Sequence, residues 1–427
     1  MKSDSTAEGW NVFKDVDSWW FGYGSPVALG ILRIIMSLLA LEGLVIGLLD
    51  FEAWYTEKGF LPIKVDYEYW IRIPATFQFG THASGAPAFY QFPGLATVPR
   101  INFFGSLYDS RLALALYLVV MIAALLTAAG LWTRVSSIVL ALGIISIHHR
   151  NPLILHSGDT LMRLVLMYLA FSPCGVTCSL DRLIGLWKGT APSVPPRVSL
   201  WPQRLIQYQV ALVYFMTVWY KWLGTDWKNG VAAWFPENLH EFYRFPVPEF
   251  THHQPFLALA TYGTLVVELS LATLVFHRPL RKYVLLAGLA MHGYIEYRFN
   301  IPLFATIIVG TYIVFFDGEE ITDWANRTSK RLTRFRIRVR LPVGTRLRPE
   351  AQQALTAMDP FKLVAYDTGV DVEWKAWNAQ EHSKRPFIGA WIRSVGAWPI
   401  GLVPGLWKRL LTRGALVDGG LGASPDG

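Results

Sequence analysis

Apolar residues in this chain fall into long runs, not the strict alternation of a strand or the one-sided stripe of a surface helix. The runs lie at about 26–49, 111–131, 135–149, 160–173, 204–222, 256–276, 282–298 and 301–316, and they contain few charges. A helix of roughly 20 apolar residues crosses a hydrocarbon core ~30 Å thick. The pattern therefore predicts an all-α polytopic membrane protein with about eight transmembrane helices over residues 26–316. The runs at 135–149 and 160–173 are short and require tilt, merging with neighbours or local thinning of the bilayer. Arg33 and Glu42 in the first run and Glu268 in the sixth are expected to face other helices or water, because lipid gives a charge no compensation.

The stretches between and beyond the runs are of three kinds. Residues 1–25 begin polar and become aromatic at Trp19, Trp20, Phe21 and Tyr23, which suits a segment lying in the membrane interface. Residues 50–110 are rich in Gly, Pro and aromatics, and are expected to form re-entrant or short amphipathic helices. From residue 317 to 427 the chain turns basic and mixed. RIRVRL, ending at Leu341, KLVAYD (362–367) and VDVEW (370–374) read as short strands, giving a small α+β C-terminal region. Residues 386–411 mix Trp391, Trp398 and Trp407 with basic residues, as a surface-lying segment does. No cleavable signal is evident, so the first run is expected to serve as an uncleaved anchor.

Composition agrees with the membrane reading. Of 427 residues 52% are hydrophobic and only 16% charged, a balance that a soluble protein of this size rarely shows. Mean hydropathy is +0.31. The 18 tryptophans supply interfacial belts. The net charge of +8 comes largely from the basic segment at 326–348. Positive-inside bias accounts for it, so nucleic acid is not expected as a partner. Cys174 and Cys178, four apart, match no zinc pattern and make an awkward disulfide; they read as incidental thiols.

Loop charges orient the chain. Arg134, then Arg182, Lys188, Arg197 and Arg204, then Arg278, Arg281 and Lys282, then the Arg-rich tail fall in one alternate set of connections. Arg150, then Lys228 and Arg244, then Arg298 fall in the other. The richer set is assigned to the cytoplasm, which puts both termini inside and the 50–110 loop outside, in a multi-pass cell-membrane protein.

That orientation gathers the ionisable candidates on the outer side. Lys221 ends the fifth run, with Asp226 and Trp227 after it. Its plain reading is an interfacial anchor that snorkels among Trp219, Trp222 and Trp227. Its chemical reading is a partly desolvated amine serving as a general base. In HHRNPLILHSGDTLMR (148–163), His148, His149, His156 and Asp159 cluster between two runs. Ser157 and Asp159 fit a helix N-cap. The spacing matches no metal motif, so no metal is predicted, and a histidine that acts as acid, base or donor to a ligand is the chemical alternative. His292 and Glu296, four apart, share a helical face turned into the bundle, as structural contacts or as part of a site. P-loop, dinucleotide, nucleophile-elbow and zincin motifs are missing.

Three stretches, WYTEKGFLP (54–62), HHRNPLILHSGDTLMRLV (148–165) and VYFMTVWYKWLGTDWKNG (213–230), carry a likeness to a known family. Through them the chain resembles, over roughly residues 18–316, the horizontally transferred transmembrane domain (HTTM) family, bacterial relatives of the vitamin K-dependent gamma-carboxylase. The resemblance implies a quinol-dependent carboxylase or epoxidase with reduced vitamin K or menaquinol as cofactor. In the carboxylase a membrane lysine is the base on the quinol, oxygen converts the quinol to an epoxide, and the strong base so formed takes a γ-proton from a glutamate that captures carbon dioxide. Lys221 matches the position of that lysine, and His156 that of the histidine supporting the carbanion. His149, Asp159, Asp226, Trp227 and His292 stand as supporting residues. A protein or peptide substrate on the outer face and contact with membrane lipid are implied as well. The tail here is small and cytoplasmic by charge, unlike the lumenal region that binds a propeptide in the animal enzyme. Two alternatives stay open: a non-catalytic member for maturation or export of a partner or toxin, and a transporter, motivated by Arg33, Glu42, Glu268 and Glu296.

Overall fold

Every predicted apolar run is a helix. The computed structural model describes residues 12–66, 76–81, 87–91, 101–333, 337–341, 345–368, 376–378 and 416–418. A short amphipathic helix, α1 (Val12–Phe21), precedes α2 (Val27–Leu49), α3 (Ser110–Ala129), α4 (Thr133–Arg150) and α5 (Ser157–Phe171). After a short helix, α6 (Leu180–Trp187), come α7 (Trp201–Leu223), α8 (Gln254–Ala272), α9 (Arg278–Arg298) and α10 (Phe304–Gly310), the last drawn on by a tighter turn over Thr311–Phe315. Two further helices, α11 (Gly318–Arg331) and α12 (Pro349–Met358), belong to the tail.

Three of these helices, α2, α3 and α8, are long and apolar enough to cross a membrane by length and composition. At 1.5 Å per residue, a helix of 23 residues such as α2 spans about 35 Å. On α2 the residues Leu29, Leu32, Met36, Ala40 and Leu44 are buried at helical spacing, while Leu38, Val45, Ile46 and Leu49 are exposed. The same division recurs on α3, where Leu118, Val119, Ile122 and Leu125 face outward. So much bare aliphatic surface on consecutive helices is a surface made for lipid.

The helices run alternately up and down. At one end of the bundle lie the connections 50–66, 101–109, 151–156, 224–253 and 299–303; at the other lie 22–26, 130–132, 172–200, 273–277 and the tail. Contacts hold each end together. At the first, the Arg150 guanidinium donates to the carbonyls of Thr56 (2.9 Å) and Leu61 (2.7 Å), and the Asn151 amide donates to that of Trp54 (3.0 Å). The HRNP turn thereby clamps the WYTEKGFLP loop. At the second, the strands β1 (Tyr23–Gly24) and β4 (Val198–Ser199) pair, and Arg278 meets Asp317 at 2.6 Å.

Arg33 shows what a buried charge requires. It is fully buried in α2 and donates to the Thr127 carbonyl at 2.8 Å and to the Cys178 carbonyl. Both acceptors lie where backbone leaves regular structure: Thr127 in the last turn of α3 and Cys178 at φ 52°. Gly130 closes α3 at φ 70°, and a Cβ there would lie 2.1 Å from the Arg33 Nη1 and 2.5 Å from the Ser179 Cβ. Only glycine combines the left-handed turn with room for the guanidinium. Cys174 and Cys178 are free thiols. Burial of Cys174, in the loop after α5, pushes its thiol above the ordinary range.

One expectation needs correction. The loop at 50–110 carries a one-turn helix, Phe51–Tyr55, and a 3-10 turn at Phe103–Ser106. It also carries an antiparallel hairpin of β2 (Thr76–Thr81) and β3 (Pro87–Gln91), so the chain is not purely α. The polar–aromatic alternation of TFQF opposite AFYQ suits strand pairing better than a helix face. Glu42 is exposed on α2, whereas Arg33 faces other helices. In the tail, β5 (Ile337–Leu341) pairs in parallel with β7 (Val364–Thr368) and antiparallel with β8 (Ala376–Asn378), while β6 (Thr345–Leu347) pairs with β9 (Leu416–Asp418). The first two strands expected from sequence are thus present. VDVEW at 370–374 and the segment 386–411 lie outside the described residues. Helix α12 packs on α6 through Ala351, Ala354, Leu355 and Met358, which ties the tail to the second end of the bundle.

Candidate functional site

Helix α7 brings Lys221 to its last turn, at the end of the bundle that holds the Arg150 clamp. Its ammonium Nζ lies 2.5 Å from the Glu268 Oε1 on α8 and 4.7 Å from the centre of the Trp227 ring. The lysine side chain is 21% exposed and the glutamate 8%, so the pair sits at the edge of the packed interior, with the carboxylate as its inner member. Trp227, on the one-turn helix that follows α7, covers the ammonium as a cation–π partner. Lys221 is therefore not a free snorkelling anchor: carboxylate and ring fix its position. Asp226, adjacent in sequence, is exposed.

One face of α7 continues the site inward. Tyr214 is seven positions before Lys221, two helical turns or about 10 Å along the axis. Its hydroxyl lies 2.9 Å from the His292 Nε2 on α9 and 2.8 Å from the Tyr312 hydroxyl in the turn after α10. All three side chains are buried. In this polar core, the Glu268 Oε2 and the His292 Nδ1 are buried without a hydrogen-bond partner among the described residues. Unpartnered polar atoms in a packed interior each cost on the order of 1–3 kcal/mol, and a place that tolerates two of them invites a ligand that would satisfy them.

His156 is placed differently. It is the N-cap of α5, in a reciprocal capping box. Its Nδ1 accepts from the Gly158 amide at 3.0 Å, and its own amide donates to the Asp159 carboxylate at 2.9 Å. A nitrogen that accepts cannot carry the proton, so the proton is on Nε2, which donates to the Pro302 carbonyl at 2.8 Å. Both ring nitrogens are thus occupied by backbone. The cap belongs to His156 rather than Ser157, while Asp159 keeps the capping function expected of it. Phe304 joins the two histidine environments: its ring centre is 5.8 Å from that of His156 and 6.0 Å from that of His292. Leu303, between Pro302 and Phe304, sits at φ 63°, an uncommon conformation for leucine that this crossing point imposes.

The remaining candidates are peripheral. His149 is bonded through Nδ1 to the Ile101 carbonyl at 3.1 Å and helps hold the 101–109 connection. Glu296, expected to face inward with His292, instead pairs with Arg244 at 2.6 Å. A second buried pair nearby, Arg298 with Glu237 at 2.6 Å, ties the 224–253 connection to the end of α9. Among the described residues no group of three or more His, Cys, Asp or Glu is arranged to hold a metal ion.

Sequence alone identified Lys221, Trp227 and His292 as neighbours of one site. It did not pair Lys221 with Glu268, and it did not mark Tyr214 or Tyr312. A lone carboxylate within an apolar run was the available signal for the first. Heptad spacing from Lys221 was the signal for Tyr214. Nothing marked Tyr312.

Apolar helices with aliphatic outer faces around an apolar core that encloses a small polar cluster define a helical membrane protein. The HTTM domain model matches residues 75–324, more than half of the chain, and the chain belongs to the HTTM family. Lys221, Glu268, Tyr214, His292, Tyr312 and His156 all lie inside the matched region. No curated protein and no solved structure gives a significant match.

Proposed function

We propose that this chain is a quinol-dependent membrane enzyme of the gamma-carboxylase type, with Lys221 as its base. The reading rests on one observation: a lysine, fixed against a buried carboxylate and a tryptophan ring, opens onto a polar core with two unpartnered buried atoms. A reduced naphthoquinone offers hydroxyls that can donate to the Glu268 Oε2 and exchange hydrogen bonds with the His292 Nδ1, the two atoms left unpartnered. Such a quinol, when bound, supplies an acidic hydroxyl and a readily oxidised ring. Lys221 in its amine form removes the hydroxyl proton, while Tyr214 and Tyr312 hold the His292 ring in place. His156, matched by resemblance to a carbanion-supporting histidine, enters by exchanging its bond to the Pro302 carbonyl for one to the substrate. His149 and Asp159 steady that segment, and Asp226 sits at the exposed rim with Trp227.

The distribution of Lys and Arg supports placing this end of the bundle on the outer face of the cell membrane, with both termini in the cytoplasm, where a protein or peptide substrate reaches it from outside. The test is oxygen-dependent epoxidation of reduced menaquinone or vitamin K by the purified protein. Activity is expected from the wild type and a loss of at least about 100-fold in both Lys221→Ala and Lys221→Arg, because a guanidinium keeps its proton. No epoxide from the wild type overturns the reading.

A second reading is a non-catalytic member acting in maturation or export of a partner. The observation in its favour is His156, whose ring nitrogens are both bound to backbone as in a purely structural cap. Under it, Lys221→Arg leaves partner maturation unchanged.

A further inference from the structure

We infer that Glu268 is the proton store of the Lys221 site. The inference rests on the quinol-enzyme reading and adds to it a residue that acts through the lysine. A base must be an amine when its substrate arrives, yet Lys221 sits 2.5 Å from a carboxylate, the arrangement that holds a lysine as ammonium. The contradiction disappears if the proton moves within the pair: ammonium and carboxylate become amine and carboxylic acid, with no change in net charge. Where burial strips water from a pair, as it does most fully on the Glu268 side, the two forms draw close in energy, because desolvating two charges costs about what their attraction returns. The surroundings suit this transfer. Glu268 is the more buried partner, and its Oε2 has no hydrogen-bond partner among the described residues, so no donor pins the carboxylate in its ionised form. Trp227 covers the ammonium on the other side and draws no proton from it.

The sequence of events then balances. Lys221 passes a proton to the Glu268 Oε1, its amine takes the proton of an acidic ligand hydroxyl, and the site ends with one proton more and the ligand with one fewer. In this step Glu268 acts through Lys221, by setting its state, while its Oε2 remains the atom offered to the ligand. Arg33 offers an internal contrast: it donates to carbonyls, which take no proton, and can only remain charged.

The experiment is infrared difference spectroscopy on the purified full chain in lipid discs, with reduced menaquinone added, together with tryptophan-fluorescence quenching to follow binding. In the wild type, a carboxylic-acid C=O band is expected to change on addition of the quinol. In Glu268→Gln that band is lost and epoxidation falls at least 100-fold when compared at equal quinol occupancy, which the quenching sets. A band unchanged in Glu268→Gln, or epoxidation equal to wild type, overturns the inference and leaves the enzyme reading standing. Failure of the wild type both to bind and to epoxidise the quinol overturns the enzyme reading and this inference with it. Should Glu268→Gln not fold, Glu268→Asp retains the carboxyl one methylene further back. A shifted band is then expected, and an unmoved one overturns the proposal.

Discussion

Two cations in this bundle, the buried Arg33 and the half-buried Lys221, are satisfied in opposite ways. Arg33, at the end of the bundle that carries the tail, gives its protons to the backbone carbonyls of Thr127 and Cys178, neither of which is able to keep one. Lys221, at the other end, faces a carboxylate that is able to. The first arrangement fixes geometry and the second can change state. A charge in an apolar helix therefore does not announce chemistry; what receives its protons does. Arginine, with a guanidinium that stays protonated, suits the first task, and lysine suits the second.

The comparison is open to direct attack. The largest effect is expected from Arg33→Ala, which orphans two buried carbonyls and opens a cavity. Destabilisation of about 3–5 kcal/mol is expected, seen as a large drop in thermal melting temperature in detergent. Quinol binding by whatever protein remains folded should be unchanged. Lys221→Arg should do the reverse, retaining stability and losing the chemistry. Gly130→Ala tests the Arg33 corner more gently. The left-handed turn costs an alanine about 1–2 kcal/mol, and contact with the guanidinium adds to it, so a smaller fall in melting temperature is expected. A melting temperature equal to wild type would show that the corner is loose. The smallest effect belongs to His156. Replacement by alanine should cost about 1 kcal/mol through loss of the α5 cap, and replacement by asparagine should restore it. If epoxidation survives in His156→Asn, the histidine is a cap alone; if it is lost while stability returns, the ring has a second role.

The helices were legible because apolar run length is a strong signal, and all of the runs appear as helices at nearly the expected bounds. The strands at Ile337 and Val364 were legible from alternation. The hairpin at Thr76 was not, because its aromatic-rich loop offered no reason to prefer strand over amphipathic helix. Lys221 stood out as a charge at the end of an apolar helix, and the shared end of the bundle followed from loop charges. Its partner did not follow: Glu268 lies 47 residues away on another helix, and the carboxylate that sequence placed near the lysine was Asp226, which is exposed. His156 shows the converse limit. Histidine is an unusual N-cap, so the familiar cap formers Ser157 and Asp159 drew the cap assignment.

The Arg33 corner also bears on how the chain is made. Arg33 lies on α2, but the carbonyls that receive its protons belong to residues 94 and 145 positions later. The Arg150 clamp repeats the delay, since the loop it grips, at Thr56, is made 94 residues before it. During synthesis α2 therefore carries an uncompensated cation until α3 and the loop after α5 have arrived. The helix has to wait in a watery or protein-lined place, instead of passing alone into lipid. Settling of α2 then depends on α3 and on the loop at Cys178, and in a chain truncated before that loop α2 should be less protected from protease than in the full chain.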